Sequence, residues 1–158
     1  MNRYANNTFT QKYKVTLGSD FLSKEEIIGD EVVTLQVWDT AGQEKYRGLS
    51  KIFYRGADLC FLVFDLSKRE SFKNINNWKQ ACMDFNTTAY MEKGGFLPFI
   101  LLGNKSDLQT RDVKQEEILN FCQEHEHLKY YEVSAKEGTK IAEVFHEASE
   151  IITNYKNM

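Results

Sequence analysis

The chain has 158 residues, 42% of them apolar and 27% charged, with a formal net charge of −3. That suits one domain with a core of its own and is too apolar for a disordered segment. The mixed, slightly acidic charge gives no footing to nucleic-acid binding. The longest apolar runs, 59–64 and 96–102, are far too short to span a bilayer.

The three cysteines, Cys60, Cys82 and Cys122, lack metal-type spacing and sit in apolar contexts. They read as core thiols of a protein in a reducing, cytoplasmic setting. No secretory signal opens the chain. No cysteine follows Cys122, so no prenylation box closes it.

In chain order, "KYKVTLGSDF" (12–21) is a polar loop running into a strand. The Thr16 hydroxyl there could ligate magnesium and Tyr13 could cover a nucleotide, although alone the stretch is only a loop. "DFLSKEEII" (20–28) and "VVTLQVW" (32–38) predict a hairpin turning at Gly29-Asp30. "DTAGQE" (39–44) follows. Asp39 at a strand end suits a magnesium-bound water. Gly42 lets a backbone N–H approach a terminal phosphate, and Gln43 can donate and accept, as positioning a water requires. An acid-and-glycine turn is the plainer alternative.

"LCFLVFD" (59–65) and "FILLGN" (99–104) are continuous apolar runs, the pattern of parallel strands covered on both faces. "KYYEVS" (129–134) is a shorter third. Between the first two, Phe72, Ile75, Trp78, Cys82 and Phe85 keep helical spacing after Ser67, a candidate cap. Val113, Ile118 and Phe121 make a weaker stripe, and Ile141 to Tyr155 a strong closing helix. These stripes are core faces. The alternation predicts an α/β fold with a doubly wound, mostly parallel sheet, whose ligands lie beyond the carboxyl ends of its strands.

Two loops at that rim remain. In "GNKSDL" (103–108) the Asp107 carboxylate can accept from the N1–H and exocyclic amine of guanine, a donor pair that adenine lacks. The Lys105 stem can lie along a base, and Asn104 can tie the loop. In "SAKEG" (134–138), Ala135 leaves a base edge unobstructed, and its N–H could meet guanine O6. Ser134 and Lys136 would pin that loop. Each stretch alone is equally a capped turn. Together, one strand apart, they are far more specific.

Thr16, "DTAGQE", "NKSD" and "SAK", in that order, resemble the small GTPases of the Ras superfamily. "LGSDF", "TLQVW", "KYRGL", "FYRGA" and "LVFDLS" resemble the Rab family, and the chain looks most like its late-endosomal and vacuolar branch. The resemblance runs from Met1 to about Tyr155. It implies GTP/GDP and Mg2+ as ligands, with GTP hydrolysis as the activity. Thr16 and Asp39 would serve the metal, and Gly42 and Thr16 the γ-phosphate. Gln43 would be catalytic, and Tyr13, Asn104, Lys105, Asp107, Ser134, Ala135 and Lys136 would bind nucleotide. Phe21, Trp38 and Phe53 would form the aromatic triad that effectors read. It further implies a monomer whose partners are exchange factors, GAPs, escort and dissociation-inhibitor proteins and effectors. The setting would be the cytosolic face of endosomal or vacuolar membranes.

One departure is large. None of the nine glycines is followed by lysine, so the phosphate loop G-x-x-x-x-G-K-[ST] is absent. "MNRYANNTFT" looks like the last turn of the helix that follows that loop. The expectation is a single small GTPase domain over 1–158 lacking its first central strand and its loop, on the order of 20–25 residues. In this form it would be defective toward GTP, with no membrane anchor of its own. Two alternatives stand beside it: a pseudo-GTPase serving as an interaction module, and an unrelated flavodoxin-like carrier.

Overall fold

The computed structural model describes residues 1–12, 15–16, 19–42, 54–91, 97–125 and 128–156. In chain order these form α1 (Asn2–Asn6), β1 (Ser19–Ile28), β2 (Glu31–Thr40), β3 (Cys60–Asp65), α2 (Arg69–Lys73), α3 (Ile75–Met91), β4 (Phe99–Asn104), α4 (Gln115–Glu124), β5 (Lys129–Glu132) and α5 (Ile141–Lys156).

β1 and β2 pair antiparallel from Ile28↔Glu31 at the turn to Ser19↔Thr40 at the open end. The connection is two residues long, and Gly29 takes φ +62, a left-handed conformation that costs glycine little. The ladder carries β2 two residues past Trp38. Asp39 therefore lies opposite Asp20 at the end of the strand, where the sequence pattern placed it, with Thr40 still on the ladder.

β3, β4 and β5 pair parallel in that order. Alternation along β4 feeds two cores. Leu101 packs with Leu62, Phe64, Phe72, Ile75 and Ile118 on one face. Ile100 and Leu102 pack with Val133, Val144 and Ala148 on the other. Helices thus cover both faces, as a doubly wound sheet requires. Gly103 is fixed by this packing, because an added Cβ would stand 2.9 Å from the Tyr130 hydroxyl.

Two details differ from the sequence expectation. Ser67 does not cap the following helix, because its N–H and hydroxyl both donate to Asp65 Oδ1, at 2.9 and 2.6 Å. The Arg69 N–H at the start of α2 is satisfied instead by Asp112 Oδ2 at 2.8 Å. The second difference is Val63. The apolar run predicts burial on both faces of β3, yet Val63 is 53% exposed between the buried Leu62 and Phe64. Among the described residues β3 pairs with β4 on one side only, and Val63 belongs to none of the buried clusters packed on its faces.

The sheet is therefore in two pieces, and among the described residues no backbone ladder joins them. Side chains join them instead. Tyr4 of α1, Leu35 of β2 and Phe145 of α5 form a buried cluster, with Val33, Val37, Phe61, Ile141 and Ile152 packed around it. The Tyr4 ring stacks on Phe145 at 3.9 Å and 6°. Its hydroxyl donates to Glu26 Oε1 at 2.6 Å. Lys24 Nζ donates to the Tyr4 carbonyl at 3.1 Å and lies 4.1 Å from the ring centroid.

The Tyr4 hydroxyl is the largest influence on Glu26. Together with His146 and Lys24 it outweighs burial and holds that carboxyl below its ordinary range. A lowered folded pKa favours the ionised form. This contribution is complete above the unfolded carboxyl pKa and disappears as pH falls through the folded one. Tyr4→Phe keeps the stack and loses the hydroxyl. It should cost about 1–2 kcal/mol at neutral pH and begin acid unfolding at a higher pH. Tyr4→Ala should cost about 3–5 kcal/mol by emptying the seam. Urea titrations from pH 3 to 7 measure both, and an unchanged acid midpoint in Tyr4→Phe would contradict the coupling.

Candidate nucleotide site

The carboxyl ends of β3, β4 and β5 are laced together by backbone bonds. The Leu66 N–H donates to the Asn104 carbonyl at 3.0 Å, Val133 to Gly103 at 2.8 Å, and Ser106 to Val133 at 3.1 Å. The two base-loop candidates therefore lie side by side on a fixed rim. Lys105 turns the chain there with φ +67. A side chain in that conformation is strained, and such strain persists where surrounding bonds over-determine it.

Lys105 Nζ pairs with Asp65 Oδ2 at 2.7 Å. Burial alone would raise the Asp65 carboxyl. Hydrogen bonds from Lys105 and Ser67 outweigh that and hold it below the carboxylate range. The Lys105 head is thus anchored on β3, which sets the direction of its stem.

Asp107 meets the neighbouring loop. Ser134, fully buried, donates its hydroxyl to Asp107 Oδ1 at 2.6 Å. Lys136 Nζ stands 3.7 Å from Oδ2, and 9% of the Asp107 side chain remains exposed. The Ser134 hydroxyl is the main reason that this carboxyl lies below its ordinary pKa. A carboxylate offers about four acceptor positions. The backbone N–H of Asp107 itself also acts on this carboxylate. Lys136 at 3.7 Å is an ion-pair partner beyond hydrogen-bond length, so acceptor capacity remains that suits the paired donors of a guanine edge.

Ala135 differs from the sequence reading. Its N–H donates to Asn104 Oδ1 at 3.1 Å, so a base carbonyl would have to share or displace that bond.

At the end of β2, Thr16 Oγ1 donates to Asp39 Oδ2 at 3.2 Å. Crowding by the surrounding chain is the chief influence on Asp39 and pushes its carboxyl up. Asp20 adds to the rise, and Thr16 and the amino terminus oppose it. One side of Asp39 is nonetheless open to solvent. Two acids facing each other across a ladder repel, and a divalent cation relieves such a pair. The oxygens of Thr16 and Asp39 fit magnesium as part of a ligand set. Alone they do not complete one, and no cluster of three metal-binding side chains occurs among the described residues. Gly42 has open space where a Cβ would stand. Tyr13, Gln43 and Phe53 lie outside the described residues. Phe21 and Trp38 pair across the hairpin with ring centroids 4.6 Å apart, and are 44% and 47% exposed.

Sequence reasoning missed two residues of this rim. Asp65 had a signal, an acid closing an apolar strand. Arg3 had none. Its Nε donates to the Ala135 carbonyl at 2.9 Å across a separation of 132 positions.

The Ras family model matches residues 1–154. The chain is 44% identical to the Ras-related protein Rab7 of Drosophila melanogaster, covering 92% of this chain and 69% of that one. It is 46% identical to the Ypt/Rab-type GTPase ypt7 of Schizosaccharomyces pombe, covering 92% and 70%. It is 45% identical to the Ras-related protein RABG3b of Arabidopsis thaliana, covering 92% and 71%. A guanine-fitting rim on a Ras-type sheet now has its context: the chain belongs to the Ras family. Within it, the likeness to Rab7 and ypt7 makes this a Rab-type small GTPase of endosomal and vacuolar traffic. It is of a guanine-nucleotide-binding, GTP-hydrolysing kind that works with regulators and effectors, and the pseudo-GTPase reading is not favoured. No helix among the described residues is long and apolar enough to cross a membrane.

Ser134→Ala should raise the titration midpoint of Asp107 toward that of an ordinary aspartate, because it removes the main donor. Carbon-detected NMR of the Asp107 carboxyl follows it. An unmoved midpoint would mean that Ser134 does not set the state of this carboxylate.

Proposed function

We propose that the loops after β4 and β5 are the guanine-reading half of a Rab switch. The observation carrying this reading is the Asp107 carboxylate. Ser134 and Lys136 hold it in place, and acceptor capacity is left over. Asp107 accepts from the base, the Lys105 stem lies along it, and Asn104 with Ala135 meets its carbonyl edge. Adenine is rejected because it lacks the matching donor pair and leaves the remaining acceptor positions of a partly buried carboxylate unfilled.

At the other end of the site, Thr16 and Asp39 hold magnesium, which when bound balances phosphate charge. Gly42 presents its N–H to the γ-phosphate, Gln43 orients the attacking water, and Tyr13 covers the nucleotide. Phe21, Trp38 and Phe53 present the nucleotide state to effectors. Exchange factors, GAPs and escort or dissociation-inhibitor proteins are the other partners. The setting is the cytosolic face of endosomal or vacuolar membranes. The residues 1–158 form one GTPase domain without the phosphate loop, which supplies most charge-assisted bonds to the nucleotide.

Two outcomes follow. The 158-residue chain should bind GTP with magnesium more weakly than micromolar, and a calorimetric dissociation constant below that would show another loop acting as the cradle. When the chain is joined to the amino-terminal strand and phosphate loop of a Rab, Asp107→Asn should weaken GTP binding by about two to three decades. The same change should shift preference toward xanthosine triphosphate, whose carbonyl replaces the guanine amine. Displacement of a fluorescent nucleotide measures both, and unchanged discrimination would reduce Asp107 to a turn residue.

A further inference from the structure

Arg3 belongs to none of the motifs that mark the site, yet four hydrogen bonds tie down its guanidinium, two of them to the base loop. Nε donates to the Ala135 carbonyl at 2.9 Å and Nη2 to the Lys136 carbonyl. Nη1 donates to the carbonyl and to Oδ1 of Asn7, each at 3.0 Å. A guanidinium is planar with its donors in a rigid fork, so these acceptors fix it and it fixes them.

The consequence runs further than the loop backbone. The Lys136 carbonyl shares a peptide plane with the Glu137 N–H, and in a trans peptide the two point in opposite directions. That N–H donates to Ser134 Oγ at 3.0 Å. The Ser134 hydroxyl in turn donates to Asp107 Oδ1 at 2.6 Å. An unbroken chain of donors and acceptors therefore runs from the Arg3 guanidinium through one peptide plane and one hydroxyl to the base-reading carboxylate. In such chains each bond polarises the next.

We infer that Arg3 is a positioning residue for guanine recognition, aiming Asp107 through the 136–137 peptide and Ser134. It does not touch the base. The inference rests on the guanine reading of Asp107. It also makes α1 an active part of the site, because Arg3 holds the base loop while the adjacent Tyr4 holds the hairpin.

The test uses the 158-residue chain titrated with GDP and with inosine diphosphate, followed by amide chemical shifts. Inosine lacks the exocyclic amine, one of the two donors assigned to Asp107. Wild type should prefer GDP. Arg3→Leu should weaken GDP about tenfold and inosine diphosphate far less, so the preference collapses. Arg3→Lys, which keeps the charge without the fork, should recover only part of it, and it carries the same comparison should the leucine variant not fold. In both variants, exchange protection of the Glu137 amide should fall while that of Leu101 in the core stays. Equal losses for both nucleotides with preference intact, or unchanged Glu137 protection, would overturn the role of Arg3 and leave the guanine reading standing. A wild type with no preference for GDP would remove that reading and this inference with it.

Discussion

Among the described residues two sheets meet without a shared strand, and the stack of Tyr4 on Phe145 closes the seam between them. The rest of the architecture depends on it. A two-stranded hairpin has too little buried surface to be stable alone. It gains that surface by laying Val33, Leu35 and Val37 against Tyr4, Phe61 and Phe145. The seam is apolar at its centre and polar at its rim, where Glu26 receives the Tyr4 hydroxyl and the Lys24 ammonium stands 3.7 Å away. Apolar contact gives this junction its strength. The hydroxyl, ammonium and carboxylate fix its register.

The candidate site inherits its geometry from the same short helix. Arg3 and Tyr4 are neighbours on α1 with opposite destinations. One reaches the carbonyls of the loop after β5 and the other reaches the inner face of the hairpin. The loop after β4 is anchored separately, by Lys105 on Asp65 and by backbone bonds to β3 and β5. The part proposed to face the base thus rests on a three-strand rim. The part proposed to face the metal rests on Thr16, Asp39 and the end of a hairpin ladder. Raising the Asp39 carboxyl while lowering that of Asp107 gives the two ends different electrostatic characters. The first carboxylate is crowded by its surroundings and by Asp20, and the second is already held ionised by its hydroxyl partner.

Much of this was legible in the sequence because it rests on local pattern. The hairpin followed from Gly29-Asp30 between alternating runs, and β4 from an apolar run closed by Asn104. α5 followed from its stripe of Val144, Phe145 and Ala148. What escaped was non-local. Ser67 has the residue type of a cap, but Asp65 claims it and Asp112 caps the helix from elsewhere. The exposure of Val63 depends on what packs over its face of β3, which composition does not record. The engagement of the Ala135 N–H by Asn104 depends on how two loops abut. Arg3 carries no spacing signal, because its partners lie at the far end of the chain.

The central claim is that the rim formed by Asn104, Lys105, Asp107, Ser134, Ala135 and Lys136 recognises guanine. Parallel titrations of the isotope-labelled chain with GDP and ADP at millimolar concentration test it most directly. The account predicts amide shifts concentrated at 104–108 and 134–137 with GDP, and none there with ADP. Equal responses to the two nucleotides, or GDP shifts confined to residues remote from this rim, would contradict it.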